Sequence, residues 1–355
     1  MRTVFILVPS PHPTGPIKGA YALANALAPV RRVVLVFLKR GPGADAPLDE
    51  RVEVVSLAQT PGGWLSKLEA YRELLRKAGG RKQAGSVSMC LSADWVNRFC
   101  REQAVTCASV RGNLLENYRL DYGRPGTLLA IAHLLALRPF DHVVAMTRAM
   151  ADQINSITAL RPQVIGNFVD EAALECHRQT EPRTLGPLRF VFVGSLTRRK
   201  QPDLVITAME RLREHDAQLD VLGNGPLREC LERMVVSKGL QNCVRLHGQV
   251  ANPYPLIASA DVFVLPSCSE GVSRAALEAL HLGVPCVLRE VDGNAELLAA
   301  PHAGAMFSQD EDLITAMRKA ATLALSRPIK TSLLTDAFRQ GTAAGQYLAL
   351  LEQTA

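Results

Sequence analysis

No apolar stretch in these 355 residues approaches the roughly 18 needed for a membrane-spanning helix. The eight cysteines, Cys90, Cys100, Cys107, Cys176, Cys230, Cys243, Cys268 and Cys286, include no CxxC pair. A zinc site needs clustered ligands, so they read instead as reduced thiols of a cytosolic protein, mostly core fillers. Met1-Arg2 runs directly into a short apolar segment ending at Pro9, which does not read as a secretory leader. No basic run is interleaved with aromatics, so nucleic acid is not expected as a partner. Short-period repeats and low-complexity tracts are absent too.

Hydrophobic residues make up 48% of the chain, ample for a globular core, and the length suggests two domains. The net charge of +6 is modest. It suits a phosphate-bearing ligand or an anionic membrane surface. The charge is uneven: residues 1–172 hold 21 basic against 14 acidic side chains, whereas residues 173–355 hold 19 against 20.

Strand-like apolar runs alternate with helical patterns. The first series is Thr3–Val8, Val33–Phe37, Val52–Ser56, Ser86–Cys90, Val105–Ala108, His142–Met146 and Gln163–Ile165. Residues 176–187, polar and containing two prolines and a glycine, read as a linker. A second series follows: Leu188–Val193, Leu219–Leu222, Cys243–His247, Val262–Leu265 and Pro285–Leu288. This alternation predicts an α/β protein with two Rossmann-like, doubly wound domains facing across a cleft. The expected divisions are 1–175, the linker 176–187, 188–330, and a C-terminal helix within 331–355 that could cross back to the first domain. Ligands of such sheets bind beyond the carboxyl ends of the strands, so the loops there come first.

Behind Phe190–Val193 lies Gly194-Ser195-Leu196-Thr197-Arg198-Arg199-Lys200. Three adjacent cations at a strand-to-helix turn suit a diphosphate, although a solvated basic turn has the same composition. Gly223-Asn224-Gly225 and Gly248-Gln249-Val250 end the next two strands, where glycine permits tight turns and close backbone approach. His247 reads as a packed strand-end residue. Behind Val262–Leu265 comes a loop carrying Glu270, then a helix carrying Glu278. Eight residues of helix would set the two carboxylates roughly 80° apart around the axis and roughly 12 Å along it, the scale of one sugar nucleotide. Taken singly, Glu270 could serve only as a helix-start carboxylate and Glu278 as an exposed helical glutamate. Ordered together with the basic and glycine loops, they point to a site.

Those loops, with Gly271, Val272 and Ser273 at the helix start and Gly283-Val284-Pro285 behind it, resemble the C-terminal half of family 4 glycosyltransferases of the GT-B fold. The likeness covers roughly residues 188–290. It reaches weakly into the first half through Arg111-Gly112-Asn113 and Gly166-Asn167-Phe168-Val169-Asp170. The resemblance implies a retaining transfer of sugar from a nucleotide-diphosphate donor, UDP rather than GDP, to a glycan or lipid-linked acceptor. Bacterial surface-polysaccharide assembly, including lipopolysaccharide or capsule, is the implied setting. Glu270 would hold donor-sugar hydroxyls and Glu278 the ribose. Lys200, helped by Arg198 or Arg199, would neutralise the diphosphate, with backbone donors from Gly271, Val272 and Ser273. Gly194, Ser195, Gly223, Asn224, Gly248 and Gln249 would complete the donor site. Arg111, Asn113, Gly15, Lys18 and Gly19 would face the acceptor. No cofactor and no catalytic metal are implied.

Ser195 stands where the family often has arginine, and Arg111 where many members carry histidine. An arginine cannot act as a base but can bind phosphate, which suggests a phosphorylated or diphosphate-linked acceptor. The loop Pro13–Gly19 takes the place of the family's glycine-rich first loop. Asp310-Glu311-Asp312 matches a DxD metal motif but reads as capping of the next helix. Trp64–Lys82 reads as a basic amphipathic helix that either packs its apolar stripe inward or lies on an anionic bilayer, peripheral at the inner face of a cell membrane. The alternatives are a sugar-nucleotide epimerase on the same fold or a non-catalytic nucleotide-sugar binding module. A glycosidase needs carboxylates about 5–9.5 Å apart, which the Glu270–Glu278 spacing disfavours.

Overall fold

Apolar runs too short for helices form parallel strands, and the central ones are buried on both faces. The computed structural model describes residues 1–12, 14–41, 48–184, 186–212, 216–291 and 293–353; Pro13 of the first loop lies outside them. One sheet is built from β1 (Thr3–Val8), β2 (Val33–Phe37), β3 (Val52–Ser56), β4 (Ala84–Met89), β5 (Val105–Val110), β6 (His142–Ala145) and β7 (Gln163–Val164). Its order is β3-β2-β1-β4-β5-β6-β7. The other holds β8 (Leu188–Val193), β9 (Ala217–Leu222), β10 (Val244–Gly248), β11 (Val262–Leu265), β12 (Cys286–Arg289) and β13 (Gly304–Phe307), in the order β10-β9-β8-β11-β12-β13. Strand pairing is parallel in both.

Side-chain alternation along β1 shows why both faces are covered. Val4, Ile6 and Val8 enter one core with Tyr21, Leu23 and Tyr347, whereas Phe5 and Leu7 enter the other with Tyr71 and Leu75. The helix Trp64–Lys77 turns Leu68, Tyr71 and Leu75 inward. Those three residues are therefore core, whereas Trp64 and Leu65 at the helix start stay exposed. The helix stops at Lys77, and Gly79, with φ of 97°, starts a separate short turn at Gly80–Lys82.

The chain divides into two units, residues 1–170 with 337–355, and residues 171–336. The stretch 176–187, expected as a linker, is fastened to the second unit. Arg183 donates to both carboxylate oxygens of buried Asp261, at 2.6 and 3.0 Å. Just before it, the helix Glu171–Glu175 approaches His281, whose Nε2 lies 3.3 Å from Glu175.

Of the expected stretch 331–355, the C-terminal helix takes Gln340–Glu352. Leu333 is not helical; its amide donates to the Leu280 carbonyl oxygen at 2.8 Å. The helix packs in the first unit, with Tyr347 hydroxyl 2.7 Å from Ser109 Oγ. Leu351 seats over Gly85, where a β-carbon would stand only 3.2 Å from its side chain.

Candidate donor site

In the second sheet the connections run outward in opposite directions from between β8 and β11, which places the switch point there. The loops leaving these two adjacent strands carry Lys200 and Glu270. Their side chains meet: Lys200 Nζ hydrogen-bonds Glu270 Oε1. Arg199 Nη1 lies 3.6 Å from the same oxygen and donates to the Ser269 carbonyl at 2.8 Å. The Cys268 amide in turn donates to the Arg199 carbonyl at 2.9 Å, so backbone bonds tie the basic loop to the acidic one. Lys200 and Glu270 are largely buried, with 13% and 9% of their side-chain surface exposed. Burial pushes the Lys200 ammonium below the ordinary lysine range; Glu270 opposes that drop and Arg199 adds to it.

Arg198 is exposed and, among the described residues, pairs with no carboxylate. Of the two arginines that could assist Lys200, the structure brings Arg199 to the cluster. Glu278 is 4% exposed, so it is not a solvated helical carboxylate. Glu270 and Glu278 do not share a helix, because the helix begins only at Arg274. Ser273 caps it, its Oγ accepting from the Ala276 amide at 3.3 Å. Glu270 and Gly271 therefore belong to the loop, and Val272 and Ser273 are buried beside the helix start.

The glycine loops form the adjoining wall. The Gly194 amide donates to the Leu222 carbonyl at 3.0 Å and the Gly223 amide to the Gly248 carbonyl at 2.8 Å. This lines the three strand ends up side by side. A β-carbon on Gly225 would stand 2.5 Å from the Leu196 carbonyl oxygen. Ser195, Asn224 and Gln249 are exposed along this edge.

One residue here escaped the sequence reading. Arg289, the last residue of β12, donates to the Pro266 carbonyl at 3.1 Å and to Gln201 Oε1 at 2.8 Å. It thus braces the glutamate loop against the lysine loop, and Gln201 holds a strained φ of 47° beside Lys200. Arg289 also pairs with Asp310 at 2.5 Å. The three acidic residues form a short turn before the helix Leu313–Leu325, and Asp312 makes no side-chain cap bond there, contrary to the capping reading. Among the described residues no group of three or more His, Cys, Asp or Glu could hold a metal ion.

The first unit places the expected acceptor residues at the ends of β1 and β5. Gly15, Lys18 and Gly19 lie in the helix Gly15–Leu27, not in a loop, because Pro16 tolerates a helical first turn. Asn113 caps the helix Leu114–Tyr122, accepting from the Glu116 amide at 3.2 Å. Arg111 turns to Asn167 Oδ1 and lies 5.7 Å over the Phe168 ring. A cavity of about 490 Å³ is lined by Asn113, Leu115, Glu116, Arg119, Arg124, Thr127 and Gln153, so it takes in Asn113 but not Arg111. Among the described residues no cysteine forms a disulfide, and burial pushes the thiols of Cys90 and Cys100 up to about 12.

Residues 187–323 match the model of Glycosyl transferases group 1. An uncharacterised glycosyltransferase of Methanocaldococcus jannaschii is 33% identical over 190 residues, 50% of this chain and 46% of that protein. The chain spans less than two thirds of the length of its first curated relatives. Among solved structures, Anabaena HepE with UDP-glucose superimposes with a TM-score of 0.73 at 17% identity, covering 99% of both chains. WaaG, a glycosyltransferase of lipopolysaccharide biosynthesis, gives 0.61 at 18% identity, covering 98% of this chain and 95% of that one. At such identities the likeness shows the fold, which is GT-B.

Proposed function

We propose that this chain, a family 4-type glycosyltransferase by its matched second unit and its GT-B fold, transfers a sugar from a nucleoside diphosphate to a glycan or lipid-linked acceptor with retention. The observation that carries this reading is the buried Lys200–Glu270 pair, flanked by Arg199, at the switch point of the second sheet. A lysine and an arginine beside the donor phosphates stabilise charge as it builds on the leaving diphosphate. Glu270 holds sugar hydroxyls and so fixes the anomeric carbon. Glu278 takes the ribose hydroxyls.

In the transfer, the bond from the anomeric carbon to the diphosphate oxygen breaks. The acceptor oxygen bonds to that carbon on the same face, and its proton passes to the departing phosphate. No protein base is needed.

UDP-sugars are the proposed donors, supported by the UDP-glucose bound in the similar Anabaena structure. Surface-polysaccharide assembly is the proposed setting, in keeping with the lipopolysaccharide role of WaaG. On the acceptor side, Arg119 and Arg124 at the first unit's cavity suit a phosphorylated or diphosphate-linked acceptor. A thermal-shift series with UDP-, GDP- and ADP-sugars tests the donor, with UDP-sugars expected to raise Tm most. NMR of the product bond tests the stereochemistry. An inverted product, or no stabilisation by any sugar nucleotide, would refute the assignment.

A further inference from the structure

The chain contains two tryptophans, Trp64 and Trp95. Indoles are highly buried on average, yet these are 52% and 41% exposed. They also lie on one surface of the first unit. The Trp64 ring centroid is 5.9 Å from that of Phe99, itself 38% exposed. The Arg98 guanidinium bridges onward, 5.0 Å from the Phe99 ring and 4.7 Å from Trp95. Leu65, beside Trp64, is 63% exposed. The helix that begins at Trp64 already buries Leu68, Tyr71 and Leu75, so the exposed pair at its start adds nothing to the core.

Charge distinguishes this face from its surroundings. At the far end of the same helix Arg76 pairs with Glu69 and Glu73, and beyond it Arg81 pairs with Asp141. At the near end, among the described residues, neither Arg98 nor Lys67 pairs with a carboxylate. Arg98 Nε is buried without a hydrogen-bond partner. The patch therefore combines amphipathic rings and an exposed leucine with unneutralised cations, on the more basic part of the chain.

We infer that Trp64, Leu65, Trp95 and Phe99, with Arg98 and Lys67, form a docking face for an anionic lipid bilayer. The indoles sit at headgroup level, where their apolar body and polar N–H are both accommodated. The guanidinium meets a lipid phosphate. A second copy of the chain fits less well, because a two-fold interface would bring this positive face against itself. The inference stands independently of the transfer reaction.

Because no other indole exists in the chain, tryptophan emission reports on the patch directly. The full chain is titrated with vesicles of phosphatidylglycerol and phosphatidylcholine, and co-sedimentation is measured in parallel. Emission is expected to move to shorter wavelength as the protein sediments, and added salt should weaken both. Arg98→Gln should lower vesicle affinity about five-fold. The double variant Trp64→Ser, Leu65→Ser should lower it further, with circular dichroism and Tm unchanged because both side chains are exposed. Absence of binding at low salt would overturn the inference. So would equal binding to pure phosphatidylcholine, or undiminished binding by the double variant. Concentration-dependent self-association abolished by Trp95→Ser would assign the face to a second copy and overturn it as well. These readings use no donor, so they leave the transferase assignment untouched.

Discussion

Gly223 meets Gly194 so closely that a β-carbon on Gly223 would fall within the van der Waals envelope of the Gly194 carbonyl oxygen. Gly223 also holds a φ of 139°, which L side chains rarely adopt. The loops after β8 and β9 therefore touch backbone to backbone. Gly223→Ala should cost at least about 2 kcal/mol of stability and weaken nucleotide binding. Denaturant unfolding and nucleotide titration of the same variant check both. Wild-type values in each would mean the two loops are not a rigid wall.

Lys200→Met removes the ammonium while keeping much of the side-chain length. It should lower kcat/KM by about 10²–10³, the usual loss for one group aimed at developing charge. It also strips Glu270 of its nearest cation, so stability should fall. Adding Glu270→Gln to that background should restore stability without restoring turnover. If turnover returned with stability, Lys200 would serve folding alone.

Glu270 and Glu278 should separate kinetically. Glu278→Ala should raise the nucleotide Kd by about ten-fold or more, consistent with losing a hydrogen bond to a charged group. Glu270→Ala should chiefly lower kcat. Isothermal titration with the free nucleotide and steady-state rates distinguish them, and matching effects from both would contradict the division of roles.

Alkaline pH should reveal Lys200. Burial depresses its pKa, so the charge is lost at lower pH than for an ordinary lysine, and diphosphate recognition goes with it. The alkaline limb of kcat/KM for donor, which reports the free enzyme, should therefore fall below the usual lysine range. Lys200→Arg should move that limb upward, whatever it does to the plateau. A limb unmoved by this change would place the titration elsewhere.

Asp141 offers a stability test away from the site. Its carboxyl, 2% exposed, accepts from Arg81, Arg101, and the Thr106 amide and hydroxyl. Burial alone would raise its pKa, but Arg81, the Thr106 amide and Arg101 outweigh burial and hold it at about 2. An unfolded aspartate titrates near 3.9, so the stabilisation is complete above about pH 4 and is lost as pH falls toward 2. Asp141→Asn should cost about 3 kcal/mol at neutral pH and flatten the acid limb of the unfolding curve. An acid limb equal to wild type would remove Asp141 as its origin.

Much of this was legible in sequence because buried parallel strands are continuous apolar runs. Thr3–Val8, Val33–Phe37, Val52–Ser56, Leu188–Val193 and Val262–Leu265 match to the residue. Gly304–Phe307 was not found, since four residues beginning with glycine carry little strand signal. Gly15 and Pro16 have loop composition, so the sequence extends the first loop to Gly19 although the helix starts at Gly15; proline is at ease in a first helical turn. Lys200, Arg199 and Glu270 could be picked out because each follows a recognisable strand. Their contact could not, nor could the bracing by Arg289, because both depend on the lateral order β8-β11-β12. Glu278 could be flagged by spacing, but its burial depends on packing of the whole unit.

The first unit needs residues 337–355 to close its core over Gly85 and Ser109, whereas the second is one continuous stretch. A growing polypeptide therefore exposes all of residues 171–336 before the earlier unit has its last helix. During translation the second unit can mature first, while the first waits, incomplete, for the tail to leave the ribosome.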